Sequence, residues 1–256
     1  MWVFLSDVHL IKSDSERGKK ILSFLELVKD QLEVLAIVGD LFDFWFGYKT
    51  VIFNDFFPIL SKIDEIRERG CRIIYVAGNH DFHFGPIFEN YIHIETYKQT
   101  CTINLDGKKI LLHHGDGIDQ KDIRYNWFKK LIRSRFAIKL SEFVHPNIGW
   151  KIARALSKTS HSYFHKKSKR DRYLKACDEY SMKKYREGYD ILIFGHLHDP
   201  FIKKNIVDDK ERIFINLGDW INHDTFLKYE ASTGFELMHF DINQKKIENY
   251  VNIESS

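Results

Sequence analysis

The sequence predicts an α/β fold in which two mixed β-sheets pack face to face between outer helices, a four-layer αββα sandwich that carries a helical insertion. Two patterns support this fold class. Early in the chain, short apolar runs alternate with amphipathic helical segments, as in parallel strands joined by right-handed crossovers. Beyond residue 100, apolar runs follow one another through short polar turns, which indicates a second sheet.

The first sheet is predicted from the order strand, helix, strand, helix, strand. In the first helix, Ile21, Leu25 and Val28 fall on one face at helical spacing. Gly70 marks the end of the second helix, because glycine accepts the left-handed backbone that closes many helices. The predicted segments are strands at 2–6, 34–38 and 72–77 and helices at 16–30 and 53–69.

The second sheet is predicted to open with a hairpin, because Asp106-Gly107 suits a two-residue turn between two apolar runs. Helical periodicity from Asp122 to Glu187, interrupted at Pro146 and near residues 157–168, predicts a helical insertion at about 122–187. No stretch rich in Pro, Gly or Ser separates independent units, so we expect a single domain over 1–256. Strands are predicted at 100–105, 109–113, 190–194, 212–216, 226–229, 236–240 and 246–251.

Composition narrows the class of protein. The 256 residues, of which 44% are hydrophobic, can fill a sizeable core. Three cysteines without C-x-x-C spacing argue against a disulfide framework and a thiolate zinc site, and free thiols suit a reducing compartment. The apolar N-terminus reaches Asp7 and His9 too soon for a signal peptide, and no run of 18 apolar residues occurs, so we expect no membrane span.

The charge is unevenly distributed along the chain. The net charge is +3, but residues 124–186 hold 18 Lys and Arg against 4 Asp and Glu, a local excess of +14. We expect this basic segment and the acidic remainder to do different jobs. A run such as Lys166-Lys167-Ser168-Lys169-Arg170 is either a solvated face, which is the commoner case, or a contact for phosphates.

Five polar clusters each follow an apolar run. Ligands bind at the carboxyl ends of strands in open α/β sheets, so we expect the clusters to converge. Their oxygen and imidazole groups, without thiolate, suit Mn, Fe, Zn or a similar divalent ion. Glycines beside four clusters are expected to let the backbone turn tightly. The clusters are Asp7-Val8-His9, Gly39-Asp40, Gly78-Asn79-His80-Asp81, His113-His114-Gly115-Asp116 and Gly195-His196-Leu197-His198.

Each cluster taken singly also has an ordinary structural interpretation. Gly39-Asp40 alone suits a strand-ending turn, and a single histidine is more often a hydrogen-bonded structural residue. We assign that structural role to His83, His113 and His223. We expect Asp43 to be a loop or supporting residue rather than a ligand.

The order D-x-H, G-D, G-N-H-D, H and G-H-x-H resembles the calcineurin-like metallophosphoesterase family over about residues 2–219. Two cations about 3.5–4 Å apart lower the pKa of a bound water toward about 7 and clamp phosphate oxygens. The resemblance implies one cation held by Asp7, His9, Asp40 and His198, and another held by Asp40, Asn79, His114 and His196.

The same resemblance implies catalytic roles for Asp40 and His80. Asp40 would bridge the two cations, and His80 would protonate the leaving oxygen or bind the phosphoryl group. Asp81 and Asp116 are expected to orient ligand histidines from behind.

A narrower resemblance implies a lipid substrate. Four stretches look like the UDP-2,3-diacylglucosamine hydrolases of lipid A synthesis: Gly39-Asp40-Leu41-Phe42-Asp43-Phe44-Trp45, Gly78-Asn79-His80-Asp81-Phe82, His114-Gly115-Asp116-Gly117 and Leu217-Gly218-Asp219-Trp220. In that family water attacks the α-phosphorus of the UDP unit, giving UMP and 2,3-diacylglucosamine 1-phosphate. The resemblance implies manganese as the metal, with iron or zinc as alternatives, and a peripheral location on the cytoplasmic face of the inner membrane.

Substrate contacts are also implied by this narrower resemblance. They fall on Asn79, His80, Asp122, Ser160, Lys166, Lys167 and His196. The sequence departs from the proteobacterial branch at His80, where those enzymes usually carry Arg. Apolar residues of the insertion would either line an acyl chamber or merely pack the insertion onto the core: Trp127, Phe128, Leu131, Ile132, Phe136, Leu140, Phe143 and Val144.

Two other functions compete with this interpretation. A basic insertion beside a metal centre would also suit a phosphodiesterase that acts on nucleotides or nucleic acid. A membrane-associated binding protein with a vestigial metal cage is the second. The complete ligand set favours catalysis, and we expect no nucleic acid among the partners. The sequence indicates no oligomeric state.

Overall fold

The computed structural model describes residues 1–141, 144–145, 148–149 and 167–250. Twelve strands, five α-helices with both ends in these ranges, a 3₁₀ turn and a π-helical turn, Ile87–Tyr91, are described. The strands are β1 Trp2–Leu5, β2 Val34–Val38, β3 Arg72–Val76, β4 Glu95–Tyr97, β5 Thr100–Leu105, β6 Lys108–His113, β7 Ile191–Phe194, β8 Phe201–Val207, β9 Lys210–Asn216, β10 Thr225–Glu230, β11 Gly234–Asp241 and β12 Lys246–Asn249. The helices are α1 Glu16–Val28, α2 Phe57–Glu68, α3 Ile123–Ile132, α4 Arg135–Ser141 and α5 Lys167–Arg186.

The strands form two mixed sheets. The seven-stranded sheet has the order β12-β11-β10-β1-β2-β3-β4, in which β1 to β4 are parallel and β10 to β12 are antiparallel. The five-stranded sheet has the order β5-β6-β7-β9-β8, with β6, β7 and β9 parallel. The predicted alternation of strands and helices corresponds to the parallel strands β1, β2 and β3. In each sheet, the carboxyl ends of the parallel strands lie at the same end.

Three apolar layers hold the fold together. The middle layer joins the two sheets, with Phe4 and Ala36 of one sheet in the same buried cluster as Ile110 and Ile193 of the other. A second cluster packs α1 and α2 against the outer face of the large sheet. The third packs α5 against the outer face of the small sheet through buried Tyr173, Cys177 and Tyr185. The predicted αββα sandwich is therefore confirmed.

Two strands were not predicted. β4 is only three residues long, and β8 is an edge strand that is mostly exposed and contains two lysines, so neither has a clean apolar alternation. The predicted helix at 53–69 is a 3₁₀ turn, Asn54–Phe56, followed by α2. The proline at the start of α2 lies where its missing N–H has no intrahelical role.

Helices α3, α4 and α5 lie in the segment for which an insertion was predicted. Among the described helices, none combines the length and the apolar character that crossing a bilayer requires.

Candidate metal centre

The five predicted polar clusters converge at the carboxyl ends of β1, β2, β3, β6 and β7. Within the large sheet, Asp7 N donates to Gly39 O at 3.2 Å and His9 N donates to Asp40 O at 2.9 Å. Between the sheets, His196 N donates to Asp7 Oδ2 at 2.8 Å. The predicted convergence of the clusters is therefore found in the fold.

Five of the predicted ligands have an unusual backbone. Asp7, His9, Asp40, His196 and His198 all have positive φ, between 46° and 69°. A residue other than glycine in this left-handed region costs on the order of 1–3 kcal/mol and persists only where the surroundings hold it. Here the turns that direct the side chains toward one another are made by the ligands themselves.

The glycines beside the ligands have a different role from the one predicted for two of them. A Cβ on Gly78 would lie 2.0 Å from Asp40 Oδ1, and one on Gly195 would lie 2.5 Å from Asp7 Oδ2. Neither of these glycines has a positive φ. They are needed because the carboxylates occupy the space of a side chain, and not because the chain turns there.

One group of ligand atoms combines Asp7, His9 and His198. The Nε2 atoms of the two histidines are 3.3 Å apart, and His198 Nε2 lies 3.2 Å from Asp7 Oδ1. His9 Nε2 lies 3.6 Å from the same carboxylate oxygen. One atom from each residue therefore points to a common centre.

A second group combines Asp40, His114 and His196, with Asn79 beside them. His114 Nε2 lies 3.2 Å from Asp40 Oδ2 and 3.0 Å from Asn79 Oδ1. His114 Nδ1 is 2.9 Å from the Val38 carbonyl, so it carries the proton and leaves Nε2 as the ligand atom. Asp40 Oδ2 is also 3.7 Å from His9 Nε2, which places this carboxylate between the two groups.

The donors fit a pair of divalent cations. Asp7 Oδ1 is buried and makes no hydrogen bond within the described residues, although imidazole nitrogens surround it. Burial alone would lower the pKa of His114 and His198, but nearby Asp40 and Asp7 carboxylates raise the pKa of each to about 10. Carboxylates that hold imidazoles protonated would hold a metal cation in the same place. Oxygen and nitrogen donors are compatible with several divalent metals.

His80 and Asp43 lie beside His9. His80 Nδ1 is 2.6 Å from the Asp43 carbonyl, and its Nε2 is 4.0 Å from Asp40 Oδ2. Burial lowers the pKa of His80. The Asp43 carboxylate is buried, with Oδ1 3.7 Å from His9 Nδ1. Asp43 thus lies behind a ligand, as a supporting residue would, while His80 borders the centre.

The expected role of Asp81 and Asp116 was wrong. Asp81 accepts hydrogen bonds from Gly78 N, Leu41 N and the Tyr75 hydroxyl, at 2.7, 2.8 and 2.6 Å. It therefore ties together the loops after β2 and β3 and orients no histidine through these bonds. Burial, together with the Asp40 charge, raises the pKa of Asp81 to about 6. Asp116 instead pairs with Lys129 of α3 and with Arg133, the residue that follows α3.

Asp219 forms an ion pair with His198, a predicted ligand, and sequence reasoning missed this contact. Its Oδ2 lies 3.2 Å from His198 Nδ1, which leaves His198 Nε2 for the centre. Its Oδ1 accepts from the backbone of Asn222 and His223 at 2.9 and 3.1 Å. The signal was present in Leu217-Gly218-Asp219-Trp220, a stretch that was used only for its resemblance.

The predicted substrate contacts separate into two sets. Asn79, His80 and His196 lie at the centre described above. Asp122 instead caps α3, accepting from Tyr125 N at 3.0 Å, and its other oxygen pairs with Arg172 at 3.1 Å. Lys167 begins α5 and is exposed. Ser160 and Lys166 lie outside the described residues.

Comparison with known proteins agrees with this geometry. The calcineurin-like phosphoesterase family matches residues 3–200. A UDP-2,3-diacylglucosamine hydrolase of Vibrio parahaemolyticus is 26% identical, and the alignment covers 94% of this chain and 98% of the relative. Proteins of the same name from Aliivibrio fischeri and Azotobacter vinelandii are 29% and 28% identical, covering 89% and 94% of this chain and 93% and 99% of the relatives.

Replacing Asp219 with asparagine tests its contact with His198. We expect Asp219→Asn to weaken manganese binding about 10- to 100-fold, because the imidazole loses its charged partner. Calorimetric titration of the metal-free protein measures this. Asp178→Asn, which changes an exposed carboxylate, is the matched control. Equal metal affinity in the two variants would show that Asp219 does not act through His198.

The pKa values predict opposite effects of pH on the metal-free and metal-loaded proteins. His114 and His198 have folded-state pKa values of about 10, above the usual 6.5. Their contribution to stability is complete below about 6.5 and is lost as the pH rises toward 10. The thermal midpoint of chelator-treated protein should therefore fall from pH 6.5 to 8.5. Manganese should counter the fall, because metal binds deprotonated ligands. A flat or rising midpoint with chelator would contradict this.

Proposed function

This chain belongs to the calcineurin-like phosphoesterase family, and we propose that it hydrolyses the diphosphate bond of UDP-2,3-diacylglucosamine to UMP and 2,3-diacylglucosamine 1-phosphate. The relatives of that name align over nearly the whole chain, which supports the proposal. The observation that carries the lipid substrate is the surface of α3 and α4, which lies beside the centre and is apolar where a soluble helix is usually polar.

Helix α3 is inverted relative to an ordinary surface helix. None of its ten residues, all of which the structure describes, is buried. On its inward side the Tyr125 ring lies 6.4 Å from the His196 ring, Asn126 donates to Asp119 O at 2.8 Å, and Lys129 lies 2.7 Å from Asp116 Oδ2. Large apolar side chains are exposed on α3 and α4, and these are Ile123, Trp127, Phe128, Leu131, Phe136 and Leu140.

These side chains do not merely pack the insertion onto the core. Trp127 is 66% exposed and Phe136 is 78% exposed. Ile132 and Val144 are half-buried, and Phe143 lies outside the described side chains. Several large exposed apolar side chains on two successive helices are typical of a binding site. We propose that the apolar surface of α3 and α4 receives the acyl chains of the substrate.

The same surface would place the protein on the cytoplasmic face of the inner membrane. Exposed Arg124, Arg135 and Lys139 lie among the apolar residues. A basic side chain near an anionic leaflet contributes about 1 kcal/mol to binding. Peripheral attachment through apolar contact and charge would give the enzyme access to a substrate that stays in the bilayer.

The proposed mechanism assigns the centre to two divalent cations, for which we propose manganese. They would be held by the predicted ligands Asp7, His9, Asp40, Asn79, His114, His196 and His198. When bound, such cations supply Lewis-acid stabilisation of the phosphoryl group and an activated water. Asp40, between the two groups of ligands, would offset the repulsion of two adjacent positive charges.

His80 would act on the phosphoryl group. His80 Nδ1–H donates a hydrogen bond to the Asp43 carbonyl, so a neutral His80 presents only a lone pair at Nε2. To donate to a phosphoryl oxygen it must be protonated; burial lowers the His80 pKa and opposes that form, and the negative charge of the bound substrate would offset this effect. The leaving group is a phosphate monoester, which needs little help from an acid. Binding the phosphoryl oxygen is therefore the role that we propose for His80.

The proposed substrate is tested by comparing turnover of related phosphoesters. Manganese-loaded protein should release UMP from UDP-2,3-diacylglucosamine far faster than from UDP-GlcNAc, measured as kcat/KM. Asp40→Asn should reduce this activity by more than the 10- to 100-fold that is roughly typical of outer-shell partners. A preference for bis-p-nitrophenyl phosphate, cyclic nucleotides or DNA would refute the proposed lipid substrate. It would favour the alternative function, a phosphodiesterase that acts on nucleotides or nucleic acid.

The membrane contact is tested by removing one exposed aromatic side chain. Trp127→Ser should lower partition into phosphatidylglycerol vesicles by about tenfold, because burial of a large apolar side chain contributes about 1.5–3 kcal/mol and part of that is lost. Hydrolysis of a soluble phosphodiester should not change. Leu27→Ser on α1, also an exposed apolar residue, is the control in the co-sedimentation assay. If both variants partition equally into the vesicles, α3 does not take part in the membrane contact.

A further inference from the structure

The inward face of α3 reaches the loop that carries Asn79 and His80. Arg133, which follows the last residue of α3, donates from Nη2 to the Gly78 carbonyl at 2.7 Å and to Asp116 Oδ2 at 2.9 Å. Its guanidinium also lies over the Phe82 ring, 5.3 Å from the ring centre. The side chain is only 18% exposed. Contacts with residues 78, 82 and 116 place it between two of the predicted ligand clusters.

The Gly78 carbonyl is a sensitive point of this loop. It belongs to the same rigid peptide plane as the N–H of Asn79, so fixing the carbonyl fixes the plane from which Asn79 departs. The rest of the loop is already held, because Gly78 N donates to Asp81 Oδ1 at 2.7 Å and His80 N donates to Asp40 Oδ1 at 2.8 Å. Arg133 supplies the contact on the carbonyl side.

Attachment of α3 alone would not need Arg133. Lys129, one turn earlier, already donates to Asp116 O at 2.8 Å and lies 2.7 Å from Asp116 Oδ2. Among the described contacts of these two cations, only Arg133 reaches the Gly78 carbonyl. Asp116 is buried, and although burial opposes ionisation, Arg133 and Lys129 hold its pKa well below the usual range. The carboxylate is thus a charged support from which Arg133 extends.

We propose that Arg133 is a positioning residue for the metal centre, which acts by holding the Gly78 carbonyl and so the direction in which Asn79 and His80 enter the site. The inference rests on the metal centre of the proposed function and not on the identity of the lipid substrate. It makes the insertion part of the machinery: the helix that presents the apolar surface outward also supports a ligand loop inward.

The test compares Arg133→Gln with two neighbours that carry the same change of charge. Lys129→Gln removes one cation from Asp116 but leaves the Gly78 contact, and Lys130→Gln changes an exposed residue of the same helix. The measurements are manganese affinity by calorimetry, the thermal midpoint, and kcat and KM for bis-p-nitrophenyl phosphate. This soluble probe needs the metal centre and no acyl site.

We expect Arg133→Gln to weaken manganese binding and lower kcat by about tenfold each, with little change in KM. Lys129→Gln should lower the thermal midpoint but keep both values within about twofold, and Lys130→Gln should match the parent. Arg133→Lys should recover part of the loss, because an ammonium can still donate to one of the two acceptors.

The proposal is overturned if Arg133→Gln keeps parental manganese affinity and kcat, or if Lys129→Gln reduces them equally. If Arg133→Gln does not fold, Arg133→Lys decides: parental values at a lowered thermal midpoint would show a purely structural role. A protein that binds manganese but hydrolyses no UDP-2,3-diacylglucosamine would refute the proposed substrate, while the metal titrations would still test Arg133.

Discussion

The structure depends on carboxylates that pack closely against glycines, in the space that the side chain of any other residue would fill there. Asp40 fills the position of a Cβ on Gly78, and Asp7 does the same against Gly195. Asp40 and Gly78 both follow strands of the large sheet, whereas Asp7 follows β1 and Gly195 follows β7, so the Asp7 carboxylate joins the two sheets at one end. The left-handed backbone of five predicted ligands is the strain that such close approach requires. A cation that neutralises the carboxylates would stabilise this end of the sandwich.

The fold explains why that strain is tolerated. The three apolar layers bury the strands from both faces, so the strand ends are held rigidly before any ligand side chain is placed. Backbone hydrogen bonds between neighbouring turns then fix the ligands, as with His9 N on the Asp40 carbonyl. The carboxylates Asp81 and Asp219 both accept from backbone N–H groups; Asp81 also accepts from the Tyr75 hydroxyl, and Asp219 contacts the imidazoles of His198 and His223. The rigid scaffold therefore holds the five predicted ligands in a left-handed backbone conformation that they do not prefer locally.

Sequence reasoning predicted the features that follow from local patterns. It missed the contacts between residues that are far apart in the chain. The fold class and the convergence of five clusters follow from apolar periodicity and from the rule that ligands gather at strand ends. The partner of His198 is Asp219, and the partner of Gly78 is Arg133, 55 residues away, and no local pattern connects either pair. Strand β8 was missed for a related reason, since an edge strand with two lysines pairs through its backbone rather than through alternating side chains.

Helix α3 shows the same limit in its sharpest form. Its sequence has both apolar and basic residues at helical spacing. This periodicity predicts a helix with two different faces, but it does not indicate which face packs inward. In the fold, Lys129 and the adjoining Arg133 point inward because Asp116 offers a buried carboxylate that only cations can neutralise, while Arg124 and Lys130 stay exposed. With these two cations inward, Ile123, Trp127, Phe128 and Leu131 lie on the outer side of the helix. The exposed apolar surface and the support of the Asn79 loop are therefore two consequences of one buried charge, so a change at Asp116 would disturb both together.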